Sequence, residues 1–391
     1  MRVAVVTTHP IQYQVPWLRL LSAREDVDLQ VHFAMIPDAV EHGREFGVAF
    51  AWDVPLLDGY SYRVLENRAR HPSLTEFAGC DTPEIGQVLR EGRYDAVIVN
   101  GWGTKMALQT LWACRRSDIP CIVRGEANGL RPRAAWKRSL HALLLKQYSA
   151  FLTIGHNNRD YYLKLGVPAS RLFDTPYCVD NRRFSDAADA WRREQGVLAL
   201  RDRFGLDRDK ATFVFSGKFV EKKRPQDIVL AARRLIEQGF DGFQVLLVGD
   251  GPMAGELREL AAELPVRFAG FLNQSEITAA YAASDCLLLP SESGETWGLV
   301  VNEAMACGLP AIVSDLVGSA RNLIEPGKTG DVFACGDVET LAASIRRYAA
   351  EPGRFAEMGV LARKQVHSDY NFDRVVEGVL AALSFVERKS S

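Results

Sequence analysis

Residues 287–315, LLLPSESGETWGLVVNEAMACGLPAIVSD, set Glu295 and Glu303 between two aliphatic runs, with Trp297 and Gly298 lying between them. The run ending CLLLPSES reads as a strand, and Gly298 to Ala306 as the helix that follows it. Glu295 therefore falls in the connecting loop and Glu303 on the second helical turn. In parallel sheets ligands gather beyond the carboxyl ends of the strands, where helix N-termini present unpaired N–H groups. Carboxylates suit hydroxyl pairs and helix starts suit phosphates.

The eight-residue separation, at 1.5 Å per residue, reaches up to ~12 Å. That is about the length of a nucleoside diphosphate sugar. One carboxylate could accept from ribose hydroxyls and the other from the distal sugar, with the N–H groups of Gly298, Leu299 and Val300 on the diphosphate between them. The plainer alternative makes Glu295 a helix cap and Glu303 a solvated or salt-bridged surface acid. A second stretch, FSGKFVEKKRP, ends a strand in Gly217, where backbone can approach a ligand, and then offers Lys218 and Lys223. Two ammonium groups there would neutralise a leaving diphosphate; the alternative is a solvated surface loop. LLVGDGP, residues 246–252, adds a tight strand-to-helix turn.

Short β-branched runs alternate twice with helix-period stretches. In the first half they cover 2–7, 29–35, 95–101, 120–126 and 150–155, and in the second 212–218, 243–251, 266–272, 285–293 and 310–315. Runs this continuous suit parallel strands buried on both faces, which gives an α/β chain of two doubly wound domains. The length of 391 residues also exceeds what one core organises. Pro225 opens a helix whose stripe is Ile228, Val229, Leu235 and Ile236, closed by Gly239. The strand pattern lapses at 178–190, placing the linker there, with domains at 1–180 and 181–369. The last helix, 370–391, repeats apolar residues at Phe372, Val375, Val379, Leu383 and Val386, so it must bury a face.

A net charge of −2 excludes a broad electrostatic grip on nucleic acid. Seven scattered cysteines without a C-x-x-C pair read as reduced, mostly buried small hydrophobes of a cytoplasmic protein. The start MRVAVVTTHPIQYQ turns polar too soon for a signal-peptide core, and no run approaches the ~18 apolar residues of a membrane span. Asp26-Val-Asp28 and Asp207-Arg-Asp209 have the D-x-D form of a cation site, but neither ends an apolar strand, and the histidines lack zinc spacing, so no metal is expected. From Ala127 to Arg159 there is no acid, while Arg131, Arg133, Lys137, Arg138 and Lys146 interleave with Trp136, Leu140 and Leu143 to Leu145. Such a segment, 127–159, either rests on anionic lipid at the inner face of the membrane or is a packed helix with a solvated basic face.

ETWGLVVNEAMACGLP resembles the E-x7-E signature of retaining glycosyltransferases of family 4, which have the GT-B fold of two Rossmann-like domains facing across a cleft. SGK followed by Lys223, VGDGP, CVDNRRF and GKTGDVFACGDVETLAASI resemble that family's successive blocks, in order. The resemblance implies a hexosyltransferase of polysaccharide biosynthesis, using a nucleoside diphosphate sugar expected to be UDP-linked. Its acceptor would be a glycan, a lipid-linked molecule or a small molecule bound by the first domain. Glu303 would bind ribose, Glu295 the transferred sugar, and Lys218 and Lys223 the diphosphate. Phe271 and Leu272 would flank the base, and Trp297 joins Gly217 and Gly298–Val300 in the donor set. The final helix would cross back onto the first domain. Front-face attack is implied, with a leaving phosphate oxygen taking the acceptor proton.

The first half departs from the pattern. Where members have a glycine pair after the first strand, this chain has THPIQYQ, so His9, Gln12 and Tyr13 should form a bulkier acceptor-side loop, with His9 either positioning a hydroxyl or capping the first helix. Where many members carry a histidine, PCIVRGEANG places Glu126, either as a catalytic-site group or as a partner for Arg124. Two other functions fit the same residues. A non-hydrolysing UDP-sugar epimerase would act on the donor alone, and a sugar-nucleotide-binding subunit would not turn over.

Overall fold

The continuous apolar runs become parallel strands in both halves. The structure, a computed structural model, describes residues 1–38 and 52–390; Ser391, the end of the expected last helix, lies outside the described residues. Strands β1 (Arg2–Thr7), β2 (Asp28–Phe33), β3 (Ser61–Val64), β4 (Ala96–Asn100), β5 (Cys121–Arg124), β6 (Ala150–Thr153) and β7 (Leu172–Asp174) form one sheet in the order β3-β2-β1-β4-β5-β6-β7. Strands β8 (Ala211–Ser216), β9 (Phe243–Val248), β10 (Val266–Gly270), β11 (Cys286–Leu289), β12 (Ala311–Ser314) and β13 (Gly330–Phe333) form the other, in the order β10-β9-β8-β11-β12-β13. Every pairing of these named strands is parallel.

Each sheet anchors its own compact unit. The first holds Met1–Pro37, Val54–Tyr177 and the last helix; the second holds Cys178–Asn371 with Asp38, Trp52 and Asp53. Strands β3, β7 and β13 were not legible as apolar runs, and all three are outermost strands. An edge strand is covered on fewer sides, so it needs no continuous apolar sequence: all four β3 residues are exposed. Several expected strands also ran past their true ends: those read to 251, 293 and 126 stop at Val248, Leu289 and Arg124, where the apolar run gives way to Gly249-Asp250-Gly251, Pro290-Ser291-Glu292-Ser293 and Gly125-Glu126.

The stretch expected to be the linker is largely a helix, Asn181–Glu194, within the second unit. Asp180 caps it by accepting from the Arg183 N–H at 3.0 Å. Asn181 bridges to the carbonyls of Val366 and Tyr370 at 2.9 and 2.8 Å, while Phe184 and Ala188 are buried. Its polar first turn hid the amphipathic period.

Helix Pro225–Glu237 has Pro at its first turn and buries Ile228, Val229 and Leu235 as expected, with Ala231 and Ala232 completing the stripe; Ile236 instead lies at the exposed margin. Its end is a Schellman turn, in which the Gly239 N–H bonds the Ile236 carbonyl at 2.9 Å and the Phe240 N–H the Leu235 carbonyl at 2.9 Å.

Helix Phe372–Ser390 buries Val375, Val379, Leu383 and Val386, and packs within the first unit on helix Val15–Ser22, β6 and β7. Phe173 of β7 meets Phe385 at 5.4 Å between ring centroids. Helix Ala135–Leu145, between β5 and β6, does the opposite. Leu145 alone is fully buried, whereas Trp136, Leu140 and Leu143, at helical spacing, are 65%, 57% and 59% exposed.

Candidate functional site

In each sheet the strand order reverses direction once at the first strand of the unit, between β1 and β4 and between β8 and β11. Loops leaving the carboxyl ends of those strands diverge to opposite faces, which opens a crevice. Both expected groups of site residues sit at these places.

In the second unit, Gly217 and Lys218 follow β8, and both are partly exposed. The loop then runs through a short 3-10 turn, Glu221–Lys223. It is pinned on two sides. The Phe219 N–H donates to the Asp250 carbonyl after β9 at 2.8 Å, and the Glu292 N–H donates to the Lys222 carbonyl at 2.9 Å, tying in the loop after β11. The VGDGP turn serves this packing: a Cβ on Gly249, where φ is +135°, would lie 1.9 Å from the Gly217 carbonyl oxygen. Its glycine lets two loops touch.

The loop after β11 is equally fixed. Ser314 Oγ donates to the Ser291 carbonyl, the Gly318 N–H to the Glu295 carbonyl at 3.1 Å, and the Ser319 N–H to the Trp297 carbonyl at 2.9 Å. Gly298 adopts φ +89° and starts helix Leu299–Ala306. The N–H groups of Leu299 and Val300, at its first turn, have no carbonyl within the helix to bond. Both residues are partly exposed.

Lys223 and Glu295 meet directly: Nζ forms an ion pair with Oε2, and Ser291 Oγ donates to the same oxygen at 3.3 Å. Their side chains are only 16% and 13% exposed. The expectation that Lys223 presents an ammonium and Glu295 a separate carboxylate is therefore modified, because each neutralises the other here.

Glu303 stands on the second turn of its helix, as expected, and keeps part of its surface open. Its Oε2 accepts from the buried Tyr281 hydroxyl at 2.8 Å. Burial raises its pKa above the ordinary carboxyl range, opposed by hydrogen bonds from Tyr281 and Gln274 and by the charges of Arg183 and Lys223. Arg183 in turn donates to the Gln274 carbonyl at 3.1 Å and to its side-chain oxygen. No local pattern marks Tyr281 or Gln274, which come from a helix and a loop more than twenty residues upstream of Glu303. Phe271 and Leu272 follow β10 and are partly exposed. Trp297 is corrected: it is 3% exposed, donates Nε1–H to Asn302 Oδ1 at 2.8 Å and packs on Tyr370, so its ring supports the loop rather than a ligand.

In the first unit, the loop after β1 carries partly exposed His9, Gln12 and Tyr13. His9 Nδ1 bonds Thr8 Oγ1 at 2.9 Å; the first helix begins only at Val15 with Gln14 at its cap position, so His9 does not cap it. Glu126, two residues beyond β5, accepts from the Tyr177 hydroxyl. It does not pair with Arg124. That guanidinium is 4% exposed, lies 4.7 Å over the Tyr177 ring and donates to the Thr175 carbonyl at 3.3 Å. Tyr13 packs edge-on to Tyr177 at 5.3 Å, and burial, then the Glu126 charge, raises both phenols. Gln14 and Asn100, joined at 2.6 Å, complete the polar set and were not foreseen.

The two D-x-D pairs lie in local surface networks. Asp26 is bidentate with Arg24 at 2.8 Å, Asp28 lies 3.3 Å from Arg2, and Asp207 accepts from the Asp209 N–H at 2.9 Å. Six of the seven cysteines are buried and all are thiols. Among the described residues no helix is long and apolar enough to cross a membrane.

Comparison with known proteins places this geometry in a class. Residues 198–365, inside the second unit, match the family described as glycosyl transferases group 1. The chain is 31% identical over 187 residues to the N-acetyl-alpha-D-glucosaminyl L-malate synthase of Bacillus anthracis, covering 47% of this chain and 48% of that one. It is 30% identical over 206 residues to a GDP-mannose-dependent alpha-(1-6)-phosphatidylinositol monomannoside mannosyltransferase of Mycolicibacterium smegmatis, covering 50% and 52%. The matches thus span about half the length of these relatives. Among solved structures, Anabaena HepE, crystallised with UDP and glucose, superposes with a TM-score of 0.70 at 16% identity over 98% of this chain and 99% of that one. The fold is GT-B, two parallel-sheet α/β domains.

The raised pKa of Glu303 yields a stability test. The folded chain holds that proton at pH values where the unfolded chain has released it, so this contribution favours folding at low pH and is lost as pH rises through the raised pKa. Glu303→Gln, neutral at every pH, should melt above wild type at about pH 8, by roughly 2–4 °C per kcal/mol of burial cost removed, with the gap closing toward about pH 4. Thermal melts across that range check it; a gap that is constant or widens in acid contradicts the placement of this carboxyl.

Proposed function

We propose that the protein is a retaining glycosyltransferase that moves a hexosyl group from a nucleoside diphosphate sugar, UDP-linked, to a hydroxyl of a glycan, lipid-linked or small-molecule acceptor in polysaccharide biosynthesis. The observation that carries this reading is the convergence at the β8/β11 edge of Lys218, Lys223, Glu295, Glu303 and the first turn of helix Leu299–Ala306. Cations and a helix start suit a diphosphate, and two carboxylates suit the hydroxyls at its two ends. The group 1 match over this unit supports it.

In this reading Glu303 binds ribose, Phe271 and Leu272 flank the base, and the N–H groups at Gly298–Val300 with Lys218 hold the diphosphate. The acceptor side is the first unit, with His9, Gln12, Tyr13 and Glu126. The leaving phosphate takes the acceptor proton during front-face attack, and the protein's work is orientation and stabilisation of developing charge. No metal is required, because the lysines and the helix start supply the positive potential. The protein works in the cytoplasm and touches the inner face of the membrane through 127–159. There Trp136, Leu140 and Leu143 form an exposed stripe, and Arg131, Arg133, Lys137 and Arg138 lie in an acid-free stretch.

Steady-state kinetics tests the assignment of roles. A ribose contact is made equally in ground and transition states, so Glu303→Gln should raise the donor KM and leave kcat nearly unchanged. Lys218→Ala should lower kcat by roughly 10²–10³, as loss of a preorganised charge-stabilising donor does. Turnover should survive excess EDTA with the product anomer retaining donor configuration. Wild-type kcat in Lys218→Ala, loss of turnover in EDTA restored by Mg²⁺, or epimerisation of UDP-sugar without an acceptor would contradict the reading.

Sedimentation with vesicles tests the membrane contact. Binding is expected to vesicles containing anionic phosphatidylserine and not to neutral phosphatidylcholine, falling with salt and with Trp136→Ala/Leu140→Ala. Equal, negligible binding to both vesicle types removes it.

A further inference from the structure

The Lys223–Glu295 pair bears on how the site tells donor from product. Both side chains are mostly buried, and both belong to loops tied together by the Glu292 N–H on the Lys222 carbonyl at 2.9 Å. The paired oxygen, Oε2, also receives Ser291 Oγ. The two charges thus meet across loops whose backbones are held together, and each is the other's nearby counter-ion.

A diphosphate entering here would draw Lys223 toward itself and bring negative charge toward Glu295. If nothing else reaches Glu295, a mostly buried carboxylate loses its counter-ion beside an anion, the least favourable arrangement of a buried pair. A ligand that also carries a sugar offers hydroxyl donors to the same carboxylate and makes good the loss. Resting on the nucleotide-sugar reading of this edge, we propose that the Lys223–Glu295 ion pair is a specificity device: it must be exchanged, not merely joined, on binding. The site thereby favours a nucleoside diphosphate sugar over the bare nucleoside diphosphate, although the bare form carries more charge for the lysines to attract. Product release is promoted by the same exchange, since losing the sugar leaves Glu295 to reclaim Lys223.

Calorimetric titration with UDP and UDP-glucose, and in parallel with GDP and GDP-mannose, tests this on the whole chain. The wild type should bind the sugar nucleotide more tightly than the nucleotide. Glu295→Gln, which frees Lys223 without leaving an anion behind, should bind bare UDP about tenfold more tightly, and the advantage of UDP-glucose should largely vanish. Glu292→Gln removes an exposed charge from the same loop and is the control for a general effect of loop charge. An unchanged or weaker UDP affinity in Glu295→Gln overturns the proposal, as does an equal gain in Glu292→Gln. Either result leaves the donor assignment standing if wild type still binds the sugar nucleotide. Wild type that binds none of the four compounds overturns the donor assignment and the exchange together.

Should Glu295→Gln fail to fold, the double variant Lys223→Met/Glu295→Met replaces the pair with apolar groups of similar size. UDP-glucose should then lose much more affinity than UDP, because UDP loses a contact but no longer has a pair to break. Equal losses for the two ligands contradict the exchange.

Discussion

Parallel pairing is the constraint from which the rest follows. Each of the two sheets is all-parallel, so the strands of a unit deliver their chain to the same edge. All β-to-α loops must then crowd one end of a unit, and the helix starts crowd there with them. Reversal of strand order at β8/β11 gives that end a gap; the loops on either side of it carry Lys218, Lys223 and Glu295, and the helix that follows carries Glu303. The first unit repeats the arrangement at β1/β4, where the loops carry His9, Gln12 and Tyr13.

Holding charge at such an edge works against stability. Glu303 is lifted above its ordinary pKa by burial, and a tyrosine, a glutamine and two cationic side chains only partly offset this. Lys223 and Glu295 avoid the same difficulty by pairing. In the first unit Glu126 is held by Tyr177, whose ring carries the buried Arg124 guanidinium. These clusters are built by residues far apart in the chain: Lys223 with Glu295, Glu303 with Tyr281, and Glu126 with Tyr177.

The central strands, and the loop and helix start carrying Glu295 and Glu303, were legible because both obey local rules. A strand covered on two faces must be apolar throughout, and a carboxylate eight residues after another across a loop and a helix start has a fixed reach. The edge strands β3, β7 and β13 were not legible, since an exposed edge imposes no such pattern. Nor was the helix at 181–194, whose cap and first turn are polar. At the site, residue types could be assigned but not pairings: Lys223 and Glu295 lie 72 residues apart, and Glu303 and Tyr281 22. Trp297 was misjudged for a related reason. An aromatic residue beside a glycine in a ligand loop has the same sequence appearance whether its ring meets a ligand or the core, and here it meets the core.

The central claim is that the β8/β11 edge of the second unit receives a nucleoside diphosphate sugar. Hydrogen exchange read by mass spectrometry, with and without saturating UDP-glucose or GDP-mannose, tests it most directly, because the amides at the start of helix Leu299–Ala306 and in the loop after β8 are the groups said to meet the ligand. Slowed exchange in the second unit concentrated in peptides covering 217–224 and 291–303 is the result the account predicts. Donor binding that leaves both of those segments unprotected, with slowed exchange elsewhere, would contradict it.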